Sequence, residues 1–269
     1  MKQLIKILAF SSFLVLASCG IQSSKVEAQT SSGSDDKNLE KLSDAGRKPV
    51  LVELFTSEGC SSCPPAERLL EKLEKEQPYS NAEIITLALH VDYWDNLGWK
   101  DEFSSALFSR RQDIYAQAFR KGQTYTPQMI VDGRTQFVGS NSSDAAKAIT
   151  ENAKNQKANI EISAIGELLK VRISAIPKHD NATVFLAVAE DNLASDVKRG
   201  ENSGKKLEHI SVVRELKSLG MVKPDQNEFK YEQLVQMQGK WKKENLKLVI
   251  FVQENQSRKV LGVKRISLT

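Results

Sequence analysis

The chain has 269 residues, of which 40% are hydrophobic and 27% charged, with a formal net charge of +4. That composition suits a soluble globular protein of one large domain or two modest ones, and the charge is too small to indicate nucleic-acid binding. Three cysteines do not make a disulfide framework, and without a second cysteine pair or a histidine cluster a four-ligand structural zinc site is not expected, nor is any other cofactor.

Residues 1–18 read as a leader. Lys2 and Lys6 flank the start of an apolar run from Ile7 to Ala17, too short to span a bilayer and laid out as a secretory signal. The run ends in Leu16-Ala17-Ser18-Cys19-Gly20, which resembles a bacterial lipobox. That resemblance implies a lipid on Cys19, which becomes the mature N-terminus and anchors the chain at the periplasmic face of a membrane. A plain signal peptide with an incidental Cys19 is the alternative. Loss of Lys2 and Lys6 would lower the formal charge from +4 to +2. Residues 19–47 are rich in Ser, Lys, Asp and Gln and read as a flexible tether.

Residues 48–156 alternate strand and helix patterns. Val50–Phe55 is a short apolar run typical of a buried parallel strand. Pro64–Gln77 reads as a helix with Leu69, Leu70 and Leu73 on one stripe. A second strand follows over Glu83–Val91, then a helix over Asp101–Arg120. Gln128–Asp132 and Thr135–Val138 form a hairpin turned at Asp132-Gly133. A closing helix covers Asn141–Asn155, with Ser142 or Ser143 as N-cap.

After Lys157 the pattern changes. Asn159–Ile165 and Leu168–Ile176 alternate around Gly166-Glu167 as a hairpin. Ala182–Ala189, Leu246–Gln253 and Lys259–Leu268 read as further strands, and Val212–Leu219 as a short helix. The expected organisation is an α/β domain over 48–156 and a separate, small all-β sandwich-like domain over 157–269.

The chemistry concentrates at Glu58-Gly59-Cys60-Ser61-Ser62-Cys63-Pro64-Pro65. A Cys-x-x-Cys between a strand and a helix is a redox context. Backbone N–H groups at a helix head favour a thiolate at Cys60, and Cys63, one turn on, is placed to resolve a mixed disulfide. Pro64 disfavours α conformation at Cys63, so the helix is expected to begin late and to act more weakly on Cys60. A static Cys60–Cys63 disulfide in a non-catalytic binding lipoprotein is the alternative. A copper site or metallochaperone using Cys60, Cys63 and His90 is a third reading.

The Val52-Glu53-Leu54-Phe55 strand, the Cys60-Ser-Ser-Cys63 motif and Tyr125-Thr126-Pro127-Gln128-Met129-Ile130-Val131-Asp132-Gly133 together resemble the thioredoxin superfamily over about residues 48–156. The resemblance implies a thioredoxin-like fold, a cis bond before Pro127 beside the cysteine pair, and a substrate-contact role for Thr126. A closer resemblance, over nearly the whole mature chain, is to a family of exported, thioredoxin-like proteins of unassigned function. It rests on Glu53–Ala66, His90-Val91-Asp92-Tyr93-Trp94-Asp95 with Gly98-Trp99, Gly200–Gly204 and Val212–Leu216. Gly59 stands where the superfamily usually has an aromatic residue.

Glu53 lies mid-strand in an apolar run. It is either a proton-transfer group for Cys63 or a structural acid held by hydrogen bonds. Trp94, in the aromatic and acidic segment Asp92–Trp99, is a candidate substrate wall; packing of Trp94 and Trp99 on the second domain is the alternative. Gly200–Gly204 reads as a loop without chemistry. The expected activity is thiol-disulfide exchange on protein thiols, with Cys60 attacking, Cys63 resolving and Pro127 shaping the groove.

Overall fold

A computed structural model describes residues 46–120, 122–235 and 240–268. The expected leader, Cys19 and nearly all of the expected tether fall in 1–45 and lie outside the described residues. The first seven elements are β1 (Lys48–Thr56), α1 (Pro64–Glu76), β2 (Ala82–His90), α2 (Ala106–Ala118), β3 (Gln128–Val131), β4 (Thr135–Val138) and α3 (Ser142–Asn152). Ten-residue and shorter strands follow with one exception in length: β5 (Asn159–Ile165), β6 (Leu168–Ser174), β7 (Ala182–Glu190), β8 (Leu193–Asp196), β9 (Lys206–His209), the longer β10 (Val212–Val222), β11 (Phe229–Leu234), β12 (Leu246–Glu254) and β13 (Val260–Ser267).

The expected fold class is corrected here. Strands from both sides of residue 157 join one mixed sheet of eight strands, ordered β13-β12-β7-β10-β2-β1-β3-β4. With thirteen strands and three α-helices among the described residues, the protein is mostly β. It is not an α/β thioredoxin-like domain followed by a separate sandwich. The physical reason lies in β7 and β12: β12 is buried at every position, and β7 at all but two. Strands covered on both faces belong inside a large sheet rather than in a half-exposed sandwich layer. The described residues fall within one compact unit spanning Ser43–Thr269. The segment read as a helix from Val212 is strand β10, which meets β2 in parallel at Val212–Ala88 and runs antiparallel to β7.

Alternation along β1 sends side chains to two cores. Val50, Val52 and Leu54 meet Leu70 and Leu73 of α1 and Ile149 of α3. Leu51 and Phe55 meet Phe108 and Tyr115 of α2, and this same core contains Ala187, Val249, Phe251 and Val263 from the C-terminal strands. A three-stranded sheet, β11-β6-β5, covers the other face of β7 and β12 through Leu169, Val171 and Ile173.

Polar ties reinforce the junction. Asp132, at the β3–β4 turn, accepts from Leu51 N at 3.0 Å and from Lys157 Nζ at 2.5 Å, while its carbonyl accepts from Val260 N at 2.9 Å. Gly133 follows with φ +63, and a Cβ there would collide with the Arg258 carbonyl. Only glycine fits that turn. At the head of α3 the cap is Asn141, whose Oδ1 accepts from Ser143 N and Asp144 N; the expected Ser142 and Ser143 are already helical.

Candidate active site

The parallel pairing of β1 and β2 brings Thr56 and His90 level at their C-terminal ends. The chain leaves β1 there, and Cys60 and Cys63 form a disulfide directly before α1. Cys63 is the N-cap of α1, in α conformation (φ −77, ψ −37) despite the proline that follows. The helix therefore starts at Pro64, without the expected delay. Its head is nonetheless poor in donors. Pro64 and Pro65 have no N–H, and the N–H groups of Ala66 and Glu67 are taken by the Cys63 carbonyl at 2.9 and 3.1 Å. The hydroxyl of Ser62 lies 3.3 Å from Cys60 Sγ and supplies a local polar partner instead.

The two sulfurs are closed in. Cys60 is 1% exposed and Cys63 0%, although Ser61 and Ser62 between them are exposed. The cover comes from Gly200–Gly204. Asn202 Nδ2 donates to the carbonyls of Glu58 (2.8 Å) and Cys60 (3.0 Å), and Glu201 accepts from Ser61 N at 3.0 Å. The hydrogen bonds from Ser61 hold the Glu201 carboxyl below its ordinary pKa. Gly200 lies against Trp99, whose Nε1 donates to Glu58 at 2.6 Å. The sequence reading gave this loop no chemistry. Its signals in the sequence are a run of small and polar residues and the family resemblance of Gly200–Gly204, and its contact with the cysteines is purely tertiary.

Beneath the loop is a buried polar cluster. His209, at the end of β9, contacts Glu67 through Nδ1 (2.6 Å) and Glu58 through Nε2 (3.1 Å). Burial opposes charge on His209, but these two carboxylates prevail and its pKa is pushed up to about 10. Burial also works against Glu67, and His209 outweighs it, so the carboxyl sits below the ordinary value. His90 donates Nδ1–H to Asp101 at 2.6 Å; Asp101 also accepts from Glu58 N, and these bonds hold its pKa down against burial. His90 is fully buried, and its Nε2 has no hydrogen-bond partner among the described residues. Of this cluster only His90 was singled out from sequence, as a partner of the cysteines. Among the described residues its hydrogen-bond partner is Asp101.

Trp94 connects two segments named from the sequence. Its Nε1 donates to Thr126 Oγ1 at 2.8 Å. It also explains Gly59: a Cβ there would stand 3.2 Å from Trp94 Cβ, so Trp94 takes the space where a side chain at position 59 would begin. The Thr126–Pro127 bond is cis, and Pro127 is buried, packed near Gly139 together with Leu54 and Ala66. Glu53 lies apart. It is paired with Arg111 at 2.6 Å and accepts from the Tyr115 hydroxyl, on the α2 face of the sheet. The helix that follows Cys63 packs on the opposite face. The structure thus gives Glu53 the hydrogen-bonded surroundings of a structural acid.

The profile of a family described as "Protein of unknown function (DUF1223)" matches residues 51–253. Among solved structures, the protein AGR_C_4864 from Agrobacterium tumefaciens is 24% identical, with a TM-score of 0.68 over 83% of this chain and 96% of that one. That likeness speaks for the fold. A domain of the outer membrane lipoprotein Omp28 from Porphyromonas gingivalis is 17% identical, covering 42% of this chain and 89% of its own, but a TM-score of 0.27 carries no argument. A search of the curated proteins finds no match.

Proposed function

The chain belongs to the DUF1223 family of proteins of unknown function, and from that premise we propose that it is a thiol-disulfide oxidoreductase acting on protein thiols. The observation that carries the reading is the Cys60–Cys63 disulfide between the end of β1 and the head of α1. The local sequence around it, with Thr126-Pro127 nearby, resembles the redox site of the thioredoxin superfamily. The reading takes its chemistry from that local resemblance alone.

In the proposed exchange a substrate thiolate attacks Cys60 Sγ, the Cys60–Cys63 bond breaks, and Cys63 leaves as thiolate. A second substrate thiolate then attacks the mixed disulfide and releases Cys60. The substrate gains a disulfide, and the protein takes up the two electrons. The reverse sequence reduces a substrate. Either direction needs the Asn202 loop to open first, and the proposal keeps Trp94 and Thr126, hydrogen-bonded to each other, as substrate contacts. The proposal includes export, a lipid on Cys19 and residence at the periplasmic face of a bacterial membrane. Among the described residues no helix is long and apolar enough to cross a membrane.

A second reading is favoured by one observation, the near-complete burial of both sulfurs. On it the disulfide is structural and the protein a binding lipoprotein. The two separate in one experiment. A Cys63→Ser chain expressed in the native host accumulates mixed disulfides with substrates, identified by mass spectrometry, if exchange occurs. If none forms, and Cys60→Ser lowers stability while leaving the host phenotype intact, the structural reading stands.

A further inference from the structure

The arrangement of the two buried histidines has the layout of a metal site. Each has one ring nitrogen fixed by a buried carboxylate: His90 Nδ1 by Asp101 at 2.6 Å, and His209 Nε2 by Glu58 at 3.1 Å. Carboxylates in that position orient imidazole ligands and raise their basicity towards a metal. The other nitrogens, His90 Nε2 and His209 Nδ1, are left for a third group, and Glu67 supplies it. One donor atom from each of Glu67, His90 and His209 lies within 4.8 Å of the others.

We propose that His90 Nε2, His209 Nδ1 and a Glu67 carboxylate oxygen bind one divalent transition-metal ion, with zinc(II) the best match. Two imidazoles and one carboxylate form a three-ligand zinc set that leaves a fourth position open. Hard cations such as magnesium and calcium prefer all-oxygen sites. Ligands about 2.0–2.1 Å from zinc stand about 3.3 Å apart in a tetrahedron, so the His209–Glu67 pair, 2.6 Å apart, has to open while the wider separations, up to 4.8 Å, close in. The ion would replace the proton shared by His209 and Glu67. It would also give His90 Nε2 the partner it lacks, in a place where a buried polar atom calls for one.

A path exists. Glu67 and His209 line a groove of about 320 Å³ between α1 and the β8–β9 hairpin, where Glu71 and Glu208 are paired with Lys75 and Lys206. Thr56 Oγ1 donates to the other Glu67 oxygen at 2.6 Å and steadies the ligand. Neither sulfur takes part, so the site is independent of the redox reading and of the state of the cysteines.

The test uses the full-length chain carrying Cys19→Ser, Cys60→Ser and Cys63→Ser, which removes every thiol. Zinc(II) titration by calorimetry should give one ion per chain. Cobalt(II) should give the visible bands of a tetrahedral nitrogen and oxygen site, with no thiolate charge-transfer band. Glu67→Gln, whose side chain borders the groove, should weaken binding at least tenfold while keeping the native circular dichroism. Asp101→Asn should weaken it about 10–100-fold through His90. His90→Ala should abolish it, and if that variant does not fold, the Glu67→Gln result decides. Absence of stoichiometric binding, affinity unchanged in Glu67→Gln, or binding that disappears with the cysteines would each overturn the proposal.

Discussion

Asn202 donates its side-chain amide to the carbonyl of Cys60 at 3.0 Å, across 142 residues of sequence. Its second bond, to the Glu58 carbonyl, makes it a clasp over the disulfide. Asn202→Ala removes both bonds, leaving the Cys60 carbonyl with Cys63 N alone and the Glu58 carbonyl without its Asn202 donor, which costs about 2 kcal/mol of stability. The Cys60–Cys63 bond should then be reduced several-fold faster by dithiothreitol. An unchanged rate at equal folded fraction would show that this loop does not limit access.

Ser62 is the side-chain hydroxyl nearest Cys60 Sγ. With two prolines at the helix head, the hydroxyl carries more of the stabilisation of a Cys60 thiolate than the helix does. A hydrogen bond to a charged group contributes about 1.5–3 kcal/mol, on the order of one to two pKa units. In the reduced protein, Ser62→Ala should raise the Cys60 pKa by that order, read from the pH dependence of iodoacetamide alkylation.

Glu53 and Arg111 test the two roles weighed for a buried acid. Breaking a buried ion pair from one side costs about 3–5 kcal/mol. Glu53→Gln should therefore lower the denaturation midpoint sharply while leaving the thiol-exchange rate of the folded protein unchanged. A fall in exchange rate without loss of stability would decide for the proton-transfer role.

A second buried pair gives the protein an acid limit. Glu74 is bonded to Lys247 Nζ at 2.7 Å and also contacts Arg265. Burial alone would raise its pKa, but Lys247 and then Arg265 overcome it and hold it below the ordinary value. A carboxyl whose pKa is lower folded than unfolded stabilises the fold above the unfolded value, about 4.3, and the benefit fades as pH falls through the folded value. Between pH 7 and about pH 5 the Glu74→Gln variant should be destabilised by a constant amount, and the gap to the parent should close below about pH 4. Urea denaturation at a series of pH values measures it.

Much of the first half was legible because its strands obey simple periodicities. Val50–Phe55 is apolar but for Glu53, and Asp132-Gly133 marks the turn between β3 and β4. The misreadings have definite causes. Val212, Val213 and Leu216 sit at helical spacing because β10 carries irregularities in register between Val213 and Glu215 and again between Ser218 and Gly220. Such a bulge shifts which face the next side chain takes and erases the two-residue repeat. The separate second domain was expected because the pattern changes near residue 157, but sheet membership depends on pairings such as Val212 with Ala88 that no local window contains. His209 belongs to no motif, and the motifs that hold Glu58 and Asn202 say nothing of their contacts. They acquire meaning only when β9 and the Gly200–Gly204 loop fold back over α1.

The single parallel contact of β10 with β2, reinforced by the 2.6 Å bond between Thr86 and Ser211, makes the two halves mutually dependent. A fragment stopping at residue 156 would bare one flank of β2 and leave Phe55 and Leu87 half wrapped. A fragment starting at 157 would present Ala187, Val249 and Phe251 to water. A protease nick between the halves should therefore yield a tightly associated two-piece protein, and separating the pieces in denaturant should send both into aggregates on dilution.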